Sequence, residues 1–168
     1  MKFKKEFYLL PAVELAKKLL GQYLCVETNG KKIKYLITET EAYFGETDTA
    51  CHAKNGKTKR NAVMYEEGGV AYCYLCYGIH CLLNIVSGEK DHPEAVLIRG
   101  VKGLNGPGKL TKGMNIDMSF NGESLLNNKI YIEKGLTNTN YISAKRVGID
   151  YATDYYKNIE WRFILKED

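Results

Sequence analysis

The chain has 168 residues, of which 45% are hydrophobic and 26% are charged. That length predicts one domain with a full core and is short for two. Charges or glycines interrupt every apolar stretch before it reaches membrane-spanning length, which excludes a transmembrane helix. The formal net charge of +4 is only mildly basic and excludes no class of partner by itself.

The N-terminus and the cysteines indicate where the protein works. Residues 1–8 begin with lysines, but Glu6 interrupts them and the apolar segment of a signal peptide is missing. Five cysteines are an odd number without the spacing of a disulfide scaffold, which favours free thiols in a reducing compartment. We therefore expect a cytoplasmic protein that is not associated with a membrane.

The pattern of apolar and turn-forming residues predicts strands in succession with few helices. The first helix opens at Pro11 and ends at Gly21, and an Asn-Gly pair at 29–30 is typical of a hairpin turn. In chain order the predicted elements are a helix at 11–20, strands at 22–27 and 33–43, a polar loop at 44–69, strands at 70–77 and 94–101, a short helix from 106–110, and strands at 129–134 and 161–165.

These elements predict an α+β fold, with a single domain over residues 1–168 built on a curved antiparallel β-sheet core with flanking helices. A parallel doubly wound sheet is disfavoured because helices do not alternate with the strands.

Two carboxylates stand out in the second predicted strand. Glu39 and Glu41 are expected on one face, roughly 6–7 Å apart, together with Tyr35, Ile37 and Tyr43. Such a pair could bind a metal, serve a glycosidase or face solvent. The apolar company on that face weakens the solvent interpretation.

Arg99 lies in an otherwise apolar run at 95–101. A buried arginine needs an acidic partner, because an unpaired charge in the interior costs several kcal/mol. Glu39 and Glu41 are the candidates. An arginine and a carboxylate that hold a water between them would form a general-base site, and hydrolysis of a glycosidic bond needs little more.

An aromatic block at 72–84 points to nucleic acid. Tyr72 and Tyr74 are expected on one strand face, while Tyr77 projects beside Gly78, where the chain can turn sharply. Proteins use such rings to stack on bases and to separate them. Lysines in nearby loops suit contacts to phosphate; they are Lys54, Lys57, Lys59, Lys102, Lys109 and Lys112, with Arg60 beside them.

The cysteines in the same block invite a metal-binding interpretation. Cys73 and Cys76 have the spacing of a zinc-ligand pair, with His80 and Cys81 following. On one strand, however, Cys73 and Cys76 would point to opposite faces, and a second ligand pair is missing. Small, unreactive thiols are the preferred interpretation, and a small metalloprotein stays as an alternative.

Taken together in order, these segments closely resemble the alkyladenine (3-methyladenine) DNA glycosylases. The matching segments cover nearly the whole chain; they are Glu39-Thr40-Glu41-Ala42-Tyr43-x-Gly45, Asp48-x-Ala50-x-His52, Arg60-Asn61, Tyr72-x-Tyr74-x-x-Tyr77-Gly78, Asn84, Arg99, Gly106-Pro107-x-Lys109-Leu110 and Arg146-Val147-Gly148-Ile149.

The resemblance implies a monofunctional DNA glycosylase of base excision repair. Such an enzyme flips alkylated or deaminated purines out of duplex DNA and hydrolyses the N-glycosidic bond, without lyase activity. The expected substrates are 3-methyladenine, 7-methylguanine, hypoxanthine and ethenoadenine. No cofactor and no metal are implied, the partner is double-stranded DNA that contains damaged purines, and the protein is expected to be a monomer.

The resemblance also implies roles for individual residues. Glu41 would be the general base, and Arg99 and the main-chain carbonyl of Val147 would hold the attacking water with it. The expected substrate-binding residues are Tyr43, Ala50, His52, Tyr74 and Asn84, and the expected DNA-binding residues are Tyr77 as a wedge, Arg60 and Lys109. Asn84 would stand where the exocyclic amine of guanine would clash.

A non-catalytic nucleic-acid-binding module is the main alternative, because it could use the same aromatic and lysine-rich surface. Glu41 and Arg99 argue against it, since an acid beside a phosphate track weakens binding unless the acid has a function.

Overall fold

An antiparallel β-sheet that curls into a half-barrel dominates the computed structural model, which describes residues 1–167. Among these residues the helices are α1 (Lys5–Tyr8), α2 (Ala12–Leu19), α3 (Pro107–Gly113) and α4 (Asp154–Asn158). The strands are β1 (Tyr23–Thr28), β2 (Lys31–Phe44), β3 (Ala71–Cys76), β4 (His80–Ser87), β5 (Glu94–Val101), β6 (Leu104–Asn105), β7 (Ile130–Glu133), β8 (Tyr141–Ala144) and β9 (Arg162–Leu165). The predicted α+β class with a curved antiparallel sheet is confirmed.

The long strand β2 organises the sheet. The strand order is β3-β4-β5-β2-β1-β7, and β2 also pairs with β9, which in turn pairs with β8. One end of β2 pairs with β1 through the hairpin predicted at Asn29 and Gly30, whose φ angles are 51° and 74°. The other end lies between β5 and β9. This second end carries Glu39 and Glu41.

Strand β4 was not predicted. Its residues 82–86 are buried, with one face toward the core and Asn84 toward a cavity on the other side. A strand that is covered on both faces loses the alternation of polar and apolar residues by which strands are recognised.

The core lies between the sheet and α2. Ala12, Leu15, Ala16 and Leu19 of α2 are fully buried, and the carbonyl of Ala16 accepts a hydrogen bond of 2.9 Å from Thr40 Oγ1 of β2. This bond satisfies a hydroxyl that would otherwise be buried without a partner. The helix is thereby fixed against the face of β2 opposite to the carboxylates.

The predicted common face of β2 is wrong for Tyr35 and Ile37, which pack with the core and do not line the cavity. Pairing between β2 and β5 shifts register twice between Ile37 and Thr40, as in a β-bulge. An extra residue in one strand reverses the alternation of faces. Ile37 therefore joins the core with Ala42, whereas Glu41 faces the other side, where the cavity lies.

Candidate active site

A cavity of about 780 Å³ lies on the face of the sheet opposite to α2. Strands β2 to β5, the start of α3 and the loop after β8 all contribute to its lining. The structure brings together ten of the eleven predicted site residues along it; they are Glu41, Tyr43, Ala50, His52, Tyr74, Tyr77, Asn84, Arg99, Lys109 and Val147. Arg60 lies outside this cavity.

Glu41 is a fully buried carboxylate in the lining of the cavity. The Tyr43 hydroxyl donates to its Oε1 at 2.9 Å, and the Val147 backbone N–H donates to its Oε2 at 2.7 Å. Arg99 Nε lies 3.8 Å from the same Oε2. Two hydrogen bonds and a nearby cation are what a carboxylate needs to persist out of water.

Burial raises the pKa of Glu41 above its ordinary value, although the Arg99 charge, the Val147 N–H and the Tyr43 hydroxyl act to lower it. Loss of hydration disfavours the charged form, whereas opposite charge and donated hydrogen bonds favour it. A carboxylate with a raised pKa accepts a proton more readily, and this is the property that a general base uses.

Arg99 has two acidic neighbours, as the sequence predicts. Its Nε donates to Glu39 Oε2 at 3.0 Å, which is shorter than its 3.8 Å separation from Glu41. Arg162 of β9 also donates to Glu39 Oε2, from Nη1 at 3.2 Å. Arg162 had no predicted role, and nothing local in the sequence indicates its contact with Glu39.

Aromatic side chains form one wall of the cavity. Tyr72 and Tyr74 lie on the same face of β3, as predicted, with ring centroids 5.7 Å apart. The His52 ring meets Tyr74 edge-on at 4.3 Å, and its Nδ1 lies 3.1 Å from the Tyr72 hydroxyl. Burial and, to a lesser degree, the charge of Arg60 lower the pKa of His52, so the imidazole is neutral near pH 7.

Asn84 lies directly opposite Tyr72 in the register of β3 and β4. Its Nδ2 donates to the Tyr72 carbonyl at 3.3 Å, and the residue is 3% exposed. The amide is therefore held in one orientation at the cavity wall.

The ion pair of Asp48 with Arg146 was missed by sequence reasoning. The two residues are 98 positions apart, and both side chains are completely buried. Arg146 donates from Nη1 to Asp48 Oδ2 at 2.6 Å and from Nη2 to Asp48 Oδ1 at 3.0 Å. It also donates to the carbonyls of Ala42 and Tyr156, each at 3.0 Å. This bidentate pair fixes Val147, the next residue, beside Glu41.

The same pair holds a second wall of the cavity. Asp48 accepts from the backbone N–H groups of Phe44 and Ala50, each at 3.0 Å. The Arg146 guanidinium lies 4.9 Å from the centroid of the Tyr43 ring. The residues before and after Tyr43, Ala42 and Phe44, thus both hydrogen-bond to the buried pair of Asp48 and Arg146, and the Arg146 guanidinium packs on the Tyr43 ring.

Tyr77 occupies the tip of the hairpin between β3 and β4. It is 91% exposed and has a φ of 53°, and Gly78 follows with a φ of 69°. Arg60 lies near this hairpin, where its Nη2 donates to the Leu75 carbonyl at 3.0 Å and it lines a smaller cavity of about 420 Å³. Lys109 lines the main cavity from α3, where the neighbouring Gly108 packs against His80 at the start of β4.

The cysteines do not gather around one point. Cys73 is buried in the core, whereas Cys76 lines the cavity, so the predicted opposite faces are confirmed. Within residues 1–167 no group of three or more His, Cys, Asp and Glu side chains is arranged to hold a metal ion. In the same part of the chain no helix has the length and apolar character to cross a membrane.

Comparison with known proteins shows the family to which the chain belongs. A sequence model of the family described as methylpurine-DNA glycosylase matches residues 6–104 and 102–168. A protein of Borreliella burgdorferi (strain ZS7) named "Putative 3-methyladenine DNA glycosylase" is 42% identical, and the alignment covers 96% of this chain and 95% of that protein. Proteins of the same name from Natranaerobius thermophilus (40% identical, 100% and 97% covered) and Chlamydia abortus (42% identical, 90% and 90% covered) are similar too.

The matches span essentially the whole length of the chain. They define the class of protein as a DNA glycosylase, a hydrolase of DNA repair. The chain belongs to the methylpurine-DNA glycosylase family.

Proposed function

We propose that this protein removes alkylated purines from duplex DNA by hydrolysis of the N-glycosidic bond, with 3-methyladenine as its principal substrate. The relatives carry that base in their names. The observation that carries the proposal is Glu41, a carboxylate with no solvent exposure that is held by two donors in the lining of an aromatic cavity. Further candidate substrates are 7-methylguanine, hypoxanthine and ethenoadenine.

The reaction needs a base extruded from the duplex, because the bond to C1′ is otherwise enclosed by the stack. The carbon–nitrogen bond breaks, its electron pair leaves with the purine, and positive charge develops on the sugar. Glu41 removes a proton from a water whose oxygen bonds to C1′. Arg99 and the Val147 carbonyl are the groups proposed to hold that water with it.

For purines alkylated at N3 or N7, the leaving group explains why one carboxylate is sufficient. A purine alkylated at N3 or N7 already carries positive charge and departs as a neutral base, so no general acid needs to protonate it. The proposed pocket places Tyr43 and Tyr74 on the two faces of the base, with His52 and Ala50 at its edges. Both tyrosines line the cavity, and His52 meets the Tyr74 ring.

The DNA-binding surface is proposed to surround the mouth of the cavity. Tyr77, at the exposed hairpin tip, would enter the space that the base vacates, and Lys109 and Arg60 would contact phosphates. The groups proposed for the chemical step, Glu41, Arg99 and Val147, all line one cavity of one chain, so we propose that a monomer acts on double-stranded DNA. Its proposed location is the cytoplasm.

A non-catalytic binding module is less well supported. A carboxylate buried in the cavity lining loses its hydration and repels phosphate, so a protein that only bound DNA would gain nothing from it.

The decisive experiment measures free bases released from methylated duplex DNA. The wild type is expected to release 3-methyladenine, and Glu41→Gln is expected to release less by a factor of about 100 or more, because the shape is kept and the base is lost. Glu133→Gln, which changes a carboxylate on the distant strand β7, is the matched control and should match the wild type. Excision by Glu41→Gln within a few-fold of the wild type would remove Glu41 from the role of base.

The product distinguishes hydrolysis from lyase chemistry. We expect an intact abasic site, because no lysine is proposed as a nucleophile. Borohydride treatment that trapped a covalent protein–DNA adduct through one lysine would contradict a monofunctional enzyme.

A further inference from the structure

We propose that Glu39 and Arg162 are positioning residues that hold the Arg99 guanidinium beside Glu41 and set how much of its charge Glu41 experiences. The inference rests on the proposed role of Glu41 as the general base. It gives a function to the Glu39 carboxylate and to strand β9, which carries Arg162. Neither group touches the reacting atoms.

The contacts form one chain of alternating charge. Arg162 Nη1 donates to Glu39 Oε2 at 3.2 Å, and Arg99 Nε donates to the same oxygen at 3.0 Å. Arg99 Nε then lies 3.8 Å from Glu41 Oε2, too far for a hydrogen bond but close enough for a strong charge interaction. The Nε–H of Arg99 therefore donates its hydrogen bond to Glu39, and Arg99 acts on Glu41 through the electrostatic attraction between their charges.

The backbone brings these groups together from three strands. Glu41 and Arg162 are direct register partners between β2 and β9. On the other side of β2, the register shift places Arg99 between the residues paired with Glu39 and Thr40. An irregular strand pairing of this kind redirects a side chain, and here it directs Arg99 between two acids.

Burial makes the charges effective. The side chains of Glu39, Arg99 and Arg162 are 24%, 17% and 23% exposed, and that of Glu41 is not exposed at all. Charges in such places are screened much less than charges on a free surface. A change of one charge in this group should therefore be felt at Glu41.

The group is balanced, with two carboxylates against two guanidiniums. Arg146 also acts on Glu41, but its charge is compensated by Asp48. The other ionisable side chains near Glu41 are Tyr43, Tyr74 and Tyr151, and burial raises the pKa of each, so they are neutral near pH 7. Glu39 and Arg162 are therefore the two charges that can be removed without replacing a residue that lines the cavity.

Removal of the Glu39 charge and removal of the Arg162 charge should shift the pKa of Glu41 in opposite directions. Glu39→Gln leaves Glu41 as the one carboxylate beside two guanidiniums, which favours its charged form and lowers its pKa. Arg162→Gln leaves two carboxylates around one guanidinium, which raises it. An opposite or like charge at this range shifts a pKa by about one unit or more.

The experiment titrates the Glu41 carboxyl by carbon-13 NMR in protein labelled on glutamate Cδ, with the resonance assigned by its absence in Glu41→Gln. The pH dependence of kcat for 3-methyladenine release from methylated duplex DNA is measured in parallel. We expect the titration midpoint of Glu41 to move down by about one pH unit in Glu39→Gln and up by about one pH unit in Arg162→Gln. In the double variant it should lie close to the wild-type midpoint. Glu133→Gln should leave it unchanged.

A purely structural role makes a different prediction. Arg162 Nε also donates to the Lys145 carbonyl at 2.7 Å, so Arg162→Gln could simply loosen the loop before Arg146. Three outcomes would overturn the proposal. The Glu41 midpoint could shift with the same sign in both single variants, it could shift in neither, or it could lie farther from the wild type in the double variant than in the single variants. Unfolding temperatures report whether each variant is folded.

Failure of this inference can be separated from failure of the proposed function. If the wild type releases bases, Glu41→Gln does not, and the Glu41 midpoint ignores Glu39 and Arg162, only the positioning role is wrong. If Glu41→Gln keeps its activity, the proposed base is wrong, and the NMR midpoints still test the charge balance.

Discussion

At the scale of single residues, Asn84 shows how a buried hydrogen bond can serve selectivity. Its amide is tied to the Tyr72 carbonyl in a cavity wall, so it cannot easily turn away from an incoming base. Guanine differs from adenine and hypoxanthine by an amino group on its minor-groove edge. A fixed amide at that edge would reject guanine by steric overlap and by loss of hydration of the amine.

Asn84→Ser should therefore open space at the base edge. We expect it to raise the release of undamaged guanine, while the rates of 3-methyladenine and hypoxanthine excision change comparatively little. Base release from matched duplexes, analysed by chromatography, measures both effects. Asn121→Ser is the matched control, because Asn121 also supports β3, through the Cys73 N–H at 2.9 Å, without lining the cavity. A similar loss on every substrate would identify Asn84 as a structural residue only.

At the scale of elements, the hairpin of β3 and β4 carries the proposed wedge. Two consecutive residues with positive φ, Tyr77 and Gly78, close its turn, and the Ile79 N–H donates to the Cys76 carbonyl at 3.2 Å. A tyrosine in this conformation is strained, and such strain is found where the surrounding structure imposes a functional geometry. The hairpin presents Tyr77 almost fully to solvent at the edge of the cavity.

Tyr77→Ala is expected to weaken binding to duplex DNA that contains a lesion by about 1–3 kcal/mol, the usual effect of losing a stacking side chain. The loss on a single-stranded substrate should be smaller, because no gap needs to be filled there. Fluorescence anisotropy on both DNA forms provides the measurement. Tyr155→Ala, which removes another exposed ring at 68% exposure, is the control. Equal losses on both DNA forms would contradict the wedge.

At the scale of the whole molecule, the buried Glu41 carboxylate affects folding as well as catalysis. Its pKa in the folded protein is raised, mainly by burial. Between the ordinary pKa of a glutamate and this higher value, the unfolded chain binds fewer protons than the folded one. Stability therefore falls as pH rises through that interval, and the loss is complete above the folded pKa.

Glu41→Gln should accordingly increase the free energy of unfolding at neutral pH, because it removes a charge that the fold buries at a cost. The gain over the wild type should be larger at about pH 8 than at about pH 5, because the wild-type carboxyl is charged in a larger fraction of molecules at the higher pH. Urea unfolding at both pH values measures the difference. A glutamine variant that is less stable than the wild type by the same amount at both values would show that the network stabilises the charged form.

The amino-acid sequence by itself determined the fold class, most of the elements and ten of the residues that line the cavity. Helix α2, the β1–β2 hairpin and β5 follow from local periodicity and turn residues, which act over a few positions. The partnership of Arg99 with two acids also follows from sequence, because an arginine in an apolar run has few ways to be satisfied.

Only the tertiary structure decided how the cavity is held. The pairing of Asp48 with Arg146, the contact of Arg162 with Glu39 and the register shift that turns Ile37 into the core join residues on different strands and loops. Strand β4 also depended on the tertiary structure, because burial on both of its faces removes the alternation of polar and apolar residues that would predict a strand. Local sequence patterns do not predict which distant segments come into contact, because those contacts depend on how the whole sheet curls and packs.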